Sequence, residues 1–274
     1  MVSINPLKQK KTMKKYIFMA VAGMLALSSC SNDDEPIAQN APRQMTFTAG
    51  FGDEAQTRAA LDGSTKKVSF DAGDDISILS ANNTNTEFTT TAGGASATFT
   101  GTATAGDPTY YAVYPYTAGL TLSGTTISGG KIPMFQHAAA TSTCGWDPAA
   151  PIAYATTTGT SLQFHNACAL LKITNGRDDA FAIALICDQA LTGTFSLDTS
   201  SGALTLSGTV TTDDKQSGVY HVPSGKTIYI AIAPGTKTNF MAVWSDGMSG
   251  YMKSKSSVTF EAGKIYDLGN TSEW

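Results

Sequence analysis

Met45-Thr46-Phe47-Thr48-Ala49-Gly50-Phe51 is the stretch on which the reading of the fold turns. Met45, Phe47, Ala49 and Phe51 fall on one face and Thr46, Thr48 and Gly50 on the other, the period of two that a half-buried β-strand requires. Outward from it, short alternating runs punctuated by Gly, Asp and Asn continue to the end of the chain, and no stretch holds a helical period. Strand candidates include Ile76 to Leu79, Leu120 to Ile127, Ala169 to Ile173, Thr227 to Ala233, Asn239 to Trp244 and Val258 to Phe260. Their spacing near ten residues predicts an all-β protein built of sandwiches.

Composition agrees. The 274 residues are 42% hydrophobic, enough for real cores, and only 15% charged, with Thr, Ser, Gly and Ala crowding every stretch after Pro42. Five of the 18 basic residues are lysines that precede Cys30; without them 13 basic residues face 22 acidic ones, a net charge of −9. Such a balance argues against nucleic acid, whose phosphates call for basic clusters, and against docking on anionic lipid.

Residues 13 to 30 carry two lysines, an apolar run from Ile17 to Leu27 and then small residues, which is the pattern of an export signal. Eleven apolar residues fall short of the roughly 20 that span a bilayer. Met13 is a second candidate start. Leu27-Ser28-Ser29-Cys30 resembles the bacterial lipobox, which predicts lipidation of Cys30; an ordinary cysteine behind a plain secretory cleavage site is the alternative. Ser31-Asn32-Asp33-Asp34-Glu35 resembles a surface-export signal of Bacteroidetes lipoproteins, or is a solvated tether. The expected divisions are a signal peptide over 1–29, a lipidated tether over 30–43, and β-sandwich domains over 44–157 and 158–274. Two similar strands closed by proline, Tyr110 to Pro115 and Tyr229 to Pro234, suggest domains of similar plan, with the boundary in the loop from Ala138 to Thr160.

A search for chemistry returns little. His137, His165 and His221 stand without H-E-x-x-H spacing and read as structural or exposed. The sequence holds no G-x-S-x-G elbow, P-loop or dinucleotide fingerprint. Asp71, Asp74 and Asp75 around Gly73 read as turn residues in preference to calcium ligands. Cys144, Cys168 and Cys187 allow at most one disulfide, and Cys168 and Cys187 read as buried thiols acting as small hydrophobes. No catalytic residue, metal or cofactor is expected, and the chain is not expected to be an enzyme.

The ordered motifs carry a resemblance. Met45 to Ala49 followed by Thr57-Arg58, Val68-Ser69-Phe70 with Ala72 to Ile76, Ala97 to Gly101, and Tyr110 to Tyr116 come first. Ile132-Pro133 with Gln136, Leu162 to Asn166 leading into Ala169 to Ile173, Gly193 to Asp198, Tyr229 to Pro234 and Gly263 to Leu268 follow in order. Together they resemble the Bacteroidetes fimbrillin-like proteins, which include subunits and tip proteins of type V pili. The resemblance implies two tandem transthyretin-like β-sandwiches, travel to the outer membrane as a lipoprotein, and in pilin members a trypsin-like cut after an arginine beyond the first strand. The freed groove then accepts a strand from another subunit, which is recognition by β-strand addition.

On this chain the candidate cut is Arg58-Ala59, within the polar stretch Gly52 to Gly63, and it would free residues 30 to 58 with the inward set Met45, Phe47, Ala49 and Phe51. The plain alternative is that Arg58 is an exposed loop residue. Only Asn270 to Trp274 follow the last motif, so a tip, minor or anchor subunit is as plausible as a stalk subunit. The expected partners are other fimbrial subunits, the outer membrane through the lipid on Cys30, and a host or bacterial surface protein or glycan. The second reading is a surface glycan-binding lipoprotein of a nutrient-uptake system, with Trp146 or Trp244 as stacking platforms. A groove filled by residues 45 to 51 favours the first reading; an open cleft lined with aromatic faces favours the second.

Overall fold

A computed structural model describes residues 41–52, 69–137, 145 and 147–274. The signal segment, Cys30, Arg58, Ala59, Cys144 and Trp146 lie outside the described residues. The strands, in chain order, are β1 (Pro42–Phe51), β2 (Asp75–Ser80), β3 (Asn83–Thr90), β4 (Ser96–Thr104), β5 (Tyr110–Tyr114), β6 (Thr121–Ser123), β7 (Thr126–Ile132), β8 (Ala153–Thr157) and β9 (Ser161–Asn166). Then come β10 (Ala169–Thr174), β11 (Ala180–Ile186), β12 (Gly193–Asp198), β13 (Ala203–Leu206), β14 (Gln216–Val222), β15 (Thr227–Ile232), β16 (Gly235–Ser245), β17 (Gly250–Phe260) and β18 (Ile265–Asn270). The all-β class expected from the alternation is the class of the protein, with two short 3₁₀ turns as its only helical pieces among the described residues.

The first seven-stranded sheet runs β1-β4-β3-β2-β5-β8-β9 and closes on itself where β9 meets β1. Its interior is aromatic: Phe47, Phe70, Phe88, Phe99, Tyr114 and Phe164 are all buried there. Thr46, Thr98 and Thr102, which alternate with core residues on β1 and β4, are exposed, the inside-outside division that the sequence pattern requires.

The second half of the chain is a two-layer sandwich. Sheet β15-β10-β18 packs against sheet β14-β11-β16-β17 around Leu171, Ile183, Ile230, Phe240, Trp244 and Phe260. The opposite face of β10 and β15, carrying Leu170, Tyr229 and Ala231, packs with Leu79 and Val113 from the closed sheet. β15, and β10 from Ala169 to Leu171, are therefore buried on both faces, which explains why these stretches run apolar without alternating, while Lys172 and Thr174 of β10 are part-exposed. The expected pair of sandwiches is met by one closed and one open β body.

Three local expectations need correction. Leu120 to Ile127 is a hairpin, β6 and β7, because Gly124 takes a positive φ of 61° that turns the chain. The stretch read as a boundary loop, Ala138 to Thr160, contains β8, which pairs with β5 and β9. The break expected between residues 157 and 158 thus falls in the β8–β9 hairpin. Finally β17 begins at Gly250, eight residues before the expected Val258, in antiparallel pairing with β16. The two halves also share a sheet of order β13-β12-β7-β6, in which β7 of the first half pairs with β12 of the second.

Candidate functional site

β1 sits between two strands that differ in direction. It pairs antiparallel with β4 from Pro42 opposite Thr104 to Gly50 opposite Ser96, and parallel with β9 from Thr48 opposite Ser161 to Phe51 opposite Phe164. The parallel join is extended by the Thr48 N–H donating to the Thr160 carbonyl at 2.8 Å and the Gly52 N–H to the Phe164 carbonyl at 3.3 Å. β1 is thus the strand that closes the sheet; without it β4 and β9 are both open edges.

The inward set read from the sequence lies on the core. Phe47 and Ala49 are fully buried, and Met45 and Phe51 are half-buried against the same cluster. Phe47 meets the rings of Phe88 and Tyr110 edge-on, at 5.4 and 5.3 Å between centroids. Phe51 stacks on Phe70 at 4.8 Å and approaches Phe164 at 5.8 Å and Tyr114 at 6.1 Å. Gly101 stands opposite Met45, and a Cβ there would fall 2.6 Å from the Glu87 carbonyl oxygen and 2.7 Å from the Phe88 ring, so only glycine lets β4 pass so close to β3.

Magnitudes decide how such a strand could move. Burying Phe47 contributes roughly 2–3 kcal/mol, and each ladder hydrogen bond about 1 kcal/mol more. Ordering the ten residues of the strand costs about 1–2 kcal/mol each, so β1 is held by the net difference between these gains and that cost.

The groove-lining aromatics Phe70, Phe88, Tyr110, Tyr114 and Phe164 come from separate parts of the chain, and the sequence reading did not gather them into one site. Their signal was present as inward positions on alternating strands; what the sequence lacked was the strand order that brings them together.

The other residues singled out by sequence take structural parts. Asp74 accepts from the Asp71 N–H at 2.9 Å and from the Tyr114 hydroxyl at 2.7 Å, in a turn where Gly73 has φ 91°, so the turn reading holds for Asp71 and Asp74, whereas Asp75 begins β2. His137, His165 and His221 are exposed and lie apart: His165 packs beside Tyr154 at 5.8 Å and His221 beside Phe181 at 5.5 Å. Cys187 is buried and donates to the Gln189 carbonyl at 3.0 Å; burial pushes its thiol pKa up. Cys168 is buried, with its sulfur 3.5 Å from the Ile152 N–H.

Trp244 is only 3% exposed, and its indole N–H donates to Asn175 Oδ1 at 3.0 Å. This removes Trp244 as a stacking platform for glycans and makes it a core residue. Gln136, part of the ordered motif set, pairs its side-chain amide with the Ala231 backbone in both directions, at 2.7 and 2.8 Å, and so acts as one more rung beside β15.

No family model matches the sequence, and no curated protein resembles it closely enough to count as a match. Solved structures share its fold. A candidate cell adhesion protein of Bacteroides uniformis is similar at 17% identity and a TM-score of 0.51, over 82% of this chain and 92% of its own. A second candidate cell adhesion protein, from Bacteroides ovatus, is similar at 14% identity and a TM-score of 0.50, over 84% of this chain and 93% of its own.

Proposed function

We propose that this chain is a cell-surface fimbrial subunit, of stalk, tip, minor or anchor type, exported as a lipoprotein on Cys30 and assembled by exchange of β1 after cleavage between Arg58 and Ala59. Its work is assembly and attachment without turnover of a substrate. The place of β1 supports this most directly. A single strand, β1, closes an aromatic core, presents alternate side chains to it, and is followed in the sequence by a polar connection that carries Arg58. A strand held in this way can be exchanged for another that offers the same backbone hydrogen bonds and the same inward pattern. The fold shared with the two adhesion candidates, and the ordered motifs of the fimbrillin-like proteins, point in the same direction.

The test is N-terminal sequencing and intact mass of the protein from surface-sheared fibres and, separately, from washed outer membranes of its native host. A start at Ala59 in the fibre fraction is expected. Fibres containing only chains that begin at lipidated Cys30 would refute the exchange, and lipidated chain confined to the membrane fraction would make the protein an anchor or a surface lipoprotein that does not polymerise.

A further inference from the structure

β11 reads Ala180-Phe181-Ala182-Ile183-Ala184-Leu185-Ile186, apolar on both faces. Elsewhere in this molecule, on β15, that pattern marks a strand buried on both faces. On β11 only one face is covered: Ile183 and Leu185 enter the sandwich core, while Ala182, Ala184 and Ile186 on the outer face stay half-exposed. The neighbouring strands extend the same surface in register. Ala184 stands beside Val243 of β16, Val243 beside Met252 of β17, and Ile186 beside Met241. Met252 is 59% exposed. No charged side chain occurs in these outward rows, although the chain as a whole is acidic.

The relief of the face is uneven in a useful way. Gly218 on β14 lies opposite Ala184, and a Cβ at 218 would fall 2.9 Å from the Ile183 carbonyl oxygen, so the floor there is kept low. Next to this trough Phe135 and Tyr220 form a ridge, their rings 5.0 Å apart and 45% and 44% exposed. The cleft between them is about 50 Å³, far below the roughly 300–1,000 Å³ of small-molecule sites, so a sugar does not fit into it. The open edge of β17 is an unsuitable docking line, because Lys253 and Lys255 point to the inner side of the sheet and Lys253 is bonded to the Leu268 carbonyl at 2.9 Å; inward lysines protect edges from strand pairing. The contact therefore belongs to the face.

We infer that the outer face of β14-β11-β16-β17 is a self-association surface that takes the same face of a second copy of this chain. A ridge set directly beside a trough is the relief that a two-fold axis needs, since each copy can then seat its ridge in the trough of the other. Four strands about 4.8 Å apart and three outward rows about 6.8 Å apart give roughly 400 Å², and about 500 Å² with the ridge. Two such faces bury about 1,000 Å² together, the lower bound of a specific interface, which predicts a weak dimer. The contact leaves β1 and its groove untouched, so it is independent of the strand-exchange reading and would join subunits or fibres side by side.

The test is sedimentation of the full chain carrying Cys30→Ser, so that no acyl chain drives association, at concentrations up to about 200 µM. A monomer–dimer equilibrium is expected, weakened at least tenfold by Met252→Lys and by Tyr220→Lys, an order of magnitude typical for central interface residues, and unchanged by Thr205→Lys on a distant exposed strand. Far-UV circular dichroism checks that each variant is folded; the two replaced positions are exposed enough to accept lysine. A chain that stays monomeric throughout overturns the inference, as does a dimer indifferent to both face variants. A monomeric chain whose Met252→Lys variant disappears from sheared fibres would assign the face to a different subunit, and this too would overturn it.

Discussion

Thr46 and Phe47 are neighbours in sequence and opposites in burial. The Thr46 side chain is in water, while Phe47 is sealed between Phe88 and Tyr110. Phe47→Ala should therefore destabilise the protein by about 3–5 kcal/mol through lost transfer energy and a residual cavity. Thr46→Ala should stay within about 0.5 kcal/mol. Urea unfolding of the two variants measures both, and comparable effects would mean that β1 is not seated as described. This contrast was legible from the sequence, because a period of two assigns faces without any knowledge of partners. The identity of the partners was not, because Phe88 and Tyr110 belong to strands whose order around the sheet no local pattern encodes.

At the scale of elements, the joint between β12 and the β6–β7 hairpin depends on Asp198. Its carboxylate accepts from the Ser200 hydroxyl and N–H, the Ser201 hydroxyl and, across the joint, the Thr125 hydroxyl at 2.9 Å; these donors hold its pKa at about 2 against an ordinary 3.8. A carboxylate with a depressed folded-state pKa adds stability above its unfolded pKa and loses it as the pH falls through the folded one. Asp198→Asn should accordingly lower the melting temperature by a constant amount near neutral pH, and the gap should close between pH about 4 and about 2. A gap independent of pH in a melting series would contradict this role. The sequence pattern located most strands, yet it missed β8 and most of β17 for different reasons. β8 is Ala-Tyr-Ala-Thr-Thr, small residues that resemble a loop, whereas β17 from Gly250 to Ser257 is exposed on both faces and has no apolar alternation to read.

For the whole molecule, the halves are coupled in two ways: the β7–β12 pairing and the shared core of Leu79 and Val113 with Leu170 and Tyr229. Neither element signals the pairing in its own sequence, since β7 and β12 lie far apart along the chain and alternate as any outer strand does. Because separating the halves would expose this core, the residues from β1 to β18 should melt in a single calorimetric transition, with van't Hoff and calorimetric enthalpies equal. Two resolved transitions would show that each half holds together alone. The β7–β12 ladder, antiparallel from Gly193 opposite Ile132 to Asp198 opposite Thr126, also has a mechanical meaning. If the chain works at the cell surface as proposed above, tension between the halves would be spread over several backbone bonds of this ladder that must yield together, whereas a single-strand hinge would simply extend.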